Sequence, residues 1–272
     1  MDRFTAGFLK SLWLIRDYLP KVIITGGWAP FVYYQYLLGD KSKNPIRTGD
    51  IDFAVENKLP LVGLKPIDQI LHEAGLHPVF KTHMPTPVIH YEGAIDGCDV
   101  EIEFLTDLKG PRDDRVIEVQ KGLHAEALRY LTVLLENTIE VAIDDLPDMK
   151  EGSELMVRLP SPSAYIFNKG LIFPRRKART KKGKDLYYIF DLLVYREDFR
   201  DKIVSDLGNL REHYRPWFKT FAKNIGTAFI DIHSDAVAMT VEQRPPEAFQ
   251  RLTDNQLKQF VLSTFQEFLS LI

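Results

Sequence analysis

An α+β N-terminal half followed by an all-helical C-terminal half is the architecture to expect of this 272-residue chain. Three observations carry that expectation. The β-branched or alternating runs Lys21–Thr25, Asp50–Val55 and Asp99–Leu105 all fall in the first half, and such runs mark strands. Helical periodicity dominates after residue 160. Between the two, Asp144–Pro160 is rich in turn residues and charge, which sets a boundary and gives domains of 1–150 and 151–272.

The elements follow in order. Phe8–Ile15 is apolar but interrupted by Lys10 and Ser11, so it reads as a short amphipathic helix and not as a signal peptide. Lys21–Thr25 is a buried strand that stops at Gly26-Gly27. Trp28–Leu38 is an apolar, aromatic helix whose rings belong to the core, and Gly39–Gly49 is a loop. Asp50–Val55 is the second strand. Pro66–Ala74 reads as a helix closed by Gly75, and Val79–Lys81 and Val88–Tyr91 as short strands. Asp99–Leu105 alternates acidic and apolar residues, which gives a strand with one wet, acidic face.

Beyond the boundary, Ser161-Pro162 is an N-cap with a first-turn proline, opening a helix that runs to Phe173 and stops at Pro174. Lys184–Arg196 is amphipathic: Leu186, Ile189, Phe190, Leu193 and Val194 form the apolar face, with Lys184, Tyr188, Asp191 and Tyr195 opposite. Thr253 and Gln256 form a capping box for the last helix, with Leu257, Phe260, Val261, Phe265 and Phe268 turned inward.

Composition narrows the function. With 45% hydrophobic and 27% charged residues the chain is globular, neither disordered nor a rod. Its formal charge of −3 excludes a globally basic nucleic-acid coat. One cysteine, Cys98, allows no internal disulfide, and there is no run of about 18 apolar residues to span a membrane. A cytoplasmic protein is the expectation.

The chemistry starts from Asp50 and Asp52. Two apart on a strand, both side chains leave one face with Cα atoms about 6.5 Å apart, and such a pair suits a hard cation such as Mg²⁺. With 22 Asp in 272 positions, about two such pairs arise by chance, so the neighbours decide. Gly26-Gly27 lies between a strand and a helix, where missing side chains let backbone N–H groups approach an anion. Asp99, Glu101 and Glu103 repeat the acidic alternation, either as metal ligands or as charges protecting an exposed edge strand.

The ordered set of strand, Gly-Gly, helix, loop, Asp-Ile-Asp strand and acidic strand resembles the nucleotidyltransferase superfamily typified by polymerase β. It is most similar to the bacterial and archaeal nucleotidyltransferases related to abortive-infection toxins. Gly26-Gly27-Trp28-Ala29 and Arg47-Thr48-Gly49-Asp50-Ile51-Asp52-Phe53 look like their glycine and acidic motifs. Lys169, Arg175-Arg176 and Lys184-Asp185-Leu186 resemble their pattern of a helix lysine, a basic turn and a Lys-Asp pair. The likeness spans roughly residues 20–195.

That resemblance implies a nucleotidyltransferase-like N-terminal domain with a mixed sheet. It implies two Mg²⁺, with Mn²⁺ as the alternative ion, held by the catalytic Asp50, Asp52 and Glu103. NTP binding would fall to Gly26, Gly27, Arg47, Lys169, Arg175, Arg176, Lys184 and Asp185. Glu103 is preferred as third carboxylate because Glu103-Phe104-Leu105-Thr106 resembles an Asp-Phe-Leu-Thr run, with Glu101 in reserve. Tyr188 stands where many relatives have a second Asp. The implied reaction moves a nucleoside monophosphate from an NTP to a hydroxyl, on RNA (such as a tRNA 3′ end), on a protein or on a small molecule. A cognate toxin or antitoxin is the implied partner. The alternative is a non-catalytic binding module of the same fold, an antitoxin or immunity partner.

Seven of the eleven residues 174–184 are Arg or Lys, so the basic charge is concentrated there, as a solvated loop or as a clamp on NTP or RNA phosphates. Other motifs fail. His72-Glu73 and His77 have the wrong spacing for a zinc helix, which would turn the histidines about 140° apart. No P-loop is present, and nothing around Cys98 suggests a nucleophile.

Overall fold

The computed structural model describes residues 2–81, 88–110, 115–144, 146 and 154–272, and within it the chain divides into two compact units, Met1–Pro160 and Ser161–Ile272. The boundary expected at residue 150 lies outside the described residues.

The first unit begins with α1 (Arg3–Leu14), capped by the side chain of Asp2, which accepts from the Thr5 amide. Then come β1 (Val22–Ile24), α2 (Trp28–Val32), β2 (Asp50–Val55), α3 (Ile67–Glu73), β3 (His77–Lys81), β4 (Val88–Ile95), β5 (Cys98–Asp107), β6 (Arg115–Gln120), β7 (Leu123–Leu128), α4 (Leu131–Glu136), β8 (Thr138–Ile143) and β9 (Leu155–Pro160). The Trp28–Leu38 segment is not one α-helix. After Val32 it widens into a π-helical turn, Tyr33–Leu37, closed by the Leu38 amide donating to the Tyr33 carbonyl at 2.9 Å. β7 alternates buried and half-buried residues along its length, and β9 pairs antiparallel with β8 inside this unit.

Seven strands form a mixed sheet in the order β1-β2-β5-β4-β3, with β7 pairing β5 and β6 pairing β7. β2 and β5 run parallel, while β5 and β4 run antiparallel. The acidic strand β5 is therefore central, paired on both sides. This overturns the protected-edge explanation of its carboxylates.

The face that those carboxylates occupy follows from the period of two. Ile51, Phe53, Ile102 and Phe104 point into the core, where the rings of Phe53 and Phe104 stack with centroids 5.7 Å apart. On the opposite face the same strands change character along their length. Asp50, Asp52, Glu101 and Glu103 come first, and then Ala54 and Leu105, which cluster with Ile23, Leu131 and Leu134 beneath α4. The helix covers the apolar end and leaves the acidic end half-buried.

The second unit is helical: α5 (Pro162–Ile172), α6 (Arg179–Leu193), α7 (Glu197–His213), α8 (Arg215–Ala228), α9 (Asp235–Glu242) and α10 (Asp254–Leu271). Ser161 caps α5 as its sequence suggests, accepting from the Ala164 amide, and Thr253 with Gln256 closes a complete capping box on α10. Two details differ from the periodicity. α6 starts at Arg179, and Tyr188 and Asp191 on its supposed polar face are each only 3% exposed, because α5, α7, α9 and α10 all pack against it. Phe260 is 37% exposed, its ring lying edge-on to Phe190, while Leu257, Val261, Phe265 and Phe268 are buried as expected. Among the described residues, no helix is long and apolar enough to cross a membrane.

Candidate active site

Strand pairing assembles the carboxylates. The parallel register sets Asp50 opposite Glu101 and Asp52 opposite Glu103. One carboxylate oxygen from each of Asp50, Asp52 and Glu103 lies within 4.8 Å of the others, and all three residues are half-buried. Two adjacent strands thus bring together the three acids that the sequence pairs only by motif. Three hard oxygen donors in that space fit a divalent cation such as Mg²⁺.

The turn after β1 closes one side of the cluster. The Thr25 amide donates to the Asp52 carbonyl at 2.9 Å, tying the turn to β2. Gly26 has φ +61°, a left-handed conformation in which a side chain is strained. A Cβ placed on it would stand 1.8 Å from Asp52 Oδ2, so the carboxylate occupies the space that the missing side chain leaves. Gly27 is the N-cap of α2 and has ordinary helical dihedrals. The two glycines therefore do different things: Gly26 admits the carboxylate, and Gly27 starts the helix.

Arg47, three residues before Asp50, is anchored elsewhere. Its Nη1 donates to Asp2 Oδ2 at 2.9 Å and to Thr5 Oγ1 at 2.6 Å, and its guanidinium lies over Trp28 and Phe31. Burial raises the Asp2 carboxyl, but the Thr5 amide, the Arg47 guanidinium and the Thr5 hydroxyl outweigh it and hold Asp2 at about 2. Arg47 thus ties the loop before β2 to the start of α1, and its ion-pair partner Asp2 lies outside the acidic cluster.

In the helical unit the motif residues meet one another. Lys169 Nζ donates to Asp185 Oδ1 at 2.8 Å, and Arg176 Nε donates to Asp185 Oδ2 at 2.9 Å. Lys169 and Asp185 are buried, and the ammonium lies between the rings of Tyr165 and Tyr188 at 5.3 and 5.4 Å. The tyrosine that departs from the relatives' pattern therefore packs on the motif lysine. Arg175 is exposed and Lys184 half-buried. Arg179, which the sequence grouped with the basic run, is taken up by Glu242 at 2.9 Å.

Sequence reasoning missed His90 and Glu92 of β4, which stand across β5 from the aspartates and opposite Glu103 and Glu101. The reading of Val88–Tyr91 as a short strand put His90 on it, but its partner strand is not encoded locally. His77 lies on β3 rather than on a helix, and its ring meets that of His72 edge-on at 5.9 Å, so the helical angle does not apply.

A protein of Nitrobacter hamburgensis named ribonuclease D is 29% identical over 140 residues, which make up 48% of this chain and 36% of that protein. The chain thus spans little more than a third of the length of that relative. No solved structure matches. A family model described as nucleotidyltransferase matches residues 7–206, the stretch that contains the three carboxylates, both glycines and the Lys169–Asp185 pair, and the chain belongs to that nucleotidyltransferase family.

Proposed function

We propose that this chain is a Mg²⁺-dependent enzyme that transfers a nucleoside monophosphate from an NTP to a hydroxyl acceptor and releases pyrophosphate. The observation that supports this most is the convergence of the half-buried Asp50, Asp52 and Glu103 on one sheet face against the side-chain-free Gly26. In this reading the three carboxylates hold the metal, and Mn²⁺ substitutes for Mg²⁺. When bound, the cation offsets charge on the triphosphate and lowers the pKa of the attacking hydroxyl.

The rest is the work of the chain itself. The turn at Gly26-Gly27, which lacks side chains, lies beside the metal-holding Asp52 and lets a phosphate come close to the backbone. A carboxylate of the cluster takes the proton from the acceptor hydroxyl, whose oxygen then attacks the α-phosphorus in line with the departing pyrophosphate. Arg175 and Lys184 supply positive charge to NTP or RNA phosphates, and Asp185 fixes the directions of Lys169 and Arg176. The basic run, and the name of the ribonuclease relative, favour an RNA 3′ hydroxyl as the acceptor to test first.

The test is incubation of the purified chain with each α-labelled NTP, Mg²⁺ and, separately, total RNA, a protein lysate and buffer. Label transferred to one acceptor class with release of pyrophosphate supports the reading and names that class. No transfer from any NTP, with no Mg²⁺-dependent thermal shift, assigns the fold to a binding role.

A further inference from the structure

The acidic face holds a second group of metal-ligating side chains. Two rows of residues cross the three strands β2, β5 and β4: Asp52, Glu103 and His90 in one, Asp50, Glu101 and Glu92 in the other. Like charges set opposite one another disfavour a sheet, and the second row places three carboxylates in succession. The one nitrogen base among them is His90, and it is 3% exposed.

The two ring nitrogens of His90 differ. Nε2 lies 3.3 Å from Glu92 Oε2 and 3.7 Å from Glu101 Oε1, whereas Nδ1 is buried with no hydrogen-bond partner among the described residues. A ligand nitrogen of His90 and one oxygen each from Glu101 and Glu103 lie within 4.8 Å of one another. Nε2 is thus the nitrogen that faces the carboxylates, and its lone pair is the one that can join Glu101 and Glu103 on a cation.

We propose that His90, Glu101 and Glu103 form a divalent-metal site distinct from the Asp50–Asp52–Glu103 cluster and joined to it through Glu103. One imidazole and two carboxylates suit Zn²⁺, Co²⁺ or Mn²⁺, whereas an all-oxygen cluster suits Mg²⁺. The adjoining sites thus differ in ligand softness. A metal-free alternative exists, in which His90 serves only as a hydrogen-bond partner of Glu92. The proposal needs no transfer activity, so a failed transfer assay leaves it standing.

Calorimetric titration of the metal-free full chain with Zn²⁺, and separately with Mg²⁺, distinguishes these. His90→Gln and Glu101→Gln should each weaken the tightest Zn²⁺ binding about tenfold or more, the scale of losing a ligand or its support, and should leave Mg²⁺ affinity within about twofold. Asp50→Asn should do the reverse. Glu101 is partly exposed, so its variant decides the matter if His90→Gln does not fold. Tightest Zn²⁺ affinity that changes less than about fivefold in folded Glu101→Gln overturns the site and leaves His90 as a hydrogen-bond partner of Glu92.

Discussion

Substituting Gly26 by alanine tests how the acidic cluster is held. The new Cβ would stand 1.8 Å from Asp52 Oδ2, 2.7 Å from Cγ and 3.1 Å from Cβ. Ordinary contact begins near 3.4 Å, so Oδ2 must retreat by about 1.6 Å. The Asp52 backbone cannot supply that movement, because Ile51 and Phe53 on either side are locked in the core. The carboxylate must rotate away, and with it goes its proximity to Glu103 and Asp50. Misplacing a reacting group by about 1 Å costs on the order of 100-fold in rate, and the left-handed backbone adds about 1–2 kcal/mol of strain. Gly75→Ala is the control: φ is +85° there and no described residue lies within 4 Å of the added Cβ, so it carries the strain without the clash. Single-turnover transfer with labelled NTP and the Mg²⁺-induced thermal shift should both collapse in Gly26→Ala and survive in Gly75→Ala. If Gly26→Ala keeps transfer within about tenfold of wild type together with its Mg²⁺ shift, Asp52 is not held where the reasoning puts it.

Four further outcomes follow from the same geometry. Asp52→Asn removes one of two carboxylates set opposite each other, so the metal-free protein should melt at the same temperature or slightly higher, while transfer falls by orders of magnitude; a lower melting temperature with intact transfer would contradict this. Asp185→Asn strips the buried Lys169, and Arg176 beside it, of their shared carboxylate and should cost about 3 kcal/mol or more in denaturant unfolding; a loss under about 1 kcal/mol would show the pair to be dispensable. The carboxyl of Asp2 is depressed from its ordinary 3.8 to about 2, so its contribution is complete above pH 3.8 and is lost as pH falls through 2. The stability gap between wild type and Asp2→Asn should therefore be flat above that range and close below it, and a gap independent of pH would refute the Asp2–Arg47 assignment. Replacing Arg175 and Lys184 by Gln should weaken RNA binding and flatten its salt dependence, with the slope falling by about 0.7 to 0.9 for each phosphate that is no longer neutralised; an unchanged slope would assign the run to solvated surface.

Local rules reach as far as local geometry does. The period of two places Asp50 and Asp52 on one strand face, and Ser161-Pro162 and Thr253–Gln256 announce their helix starts, because each depends on atoms within a few residues. Glycine content marks the turn at Gly26-Gly27 for the same reason. The rest depends on partners far along the chain. That Glu103 and not Glu101 stands opposite Asp52 is a matter of register between strands some fifty residues apart, and register is set by which apolar faces interlock in the core. The same pairing makes β5 central, which turns an apparent edge protection into a concentration of charge, and it brings His90 to Glu103 from a strand with no motif. Helix α6 reads as amphipathic because Tyr188 and Asp191 are polar, yet packing from several neighbours buries both. Lys169 and Asp185, sixteen residues apart, become one ion pair only when α5 and α6 pack together, since a buried charge must find its counter-charge wherever the fold brings one.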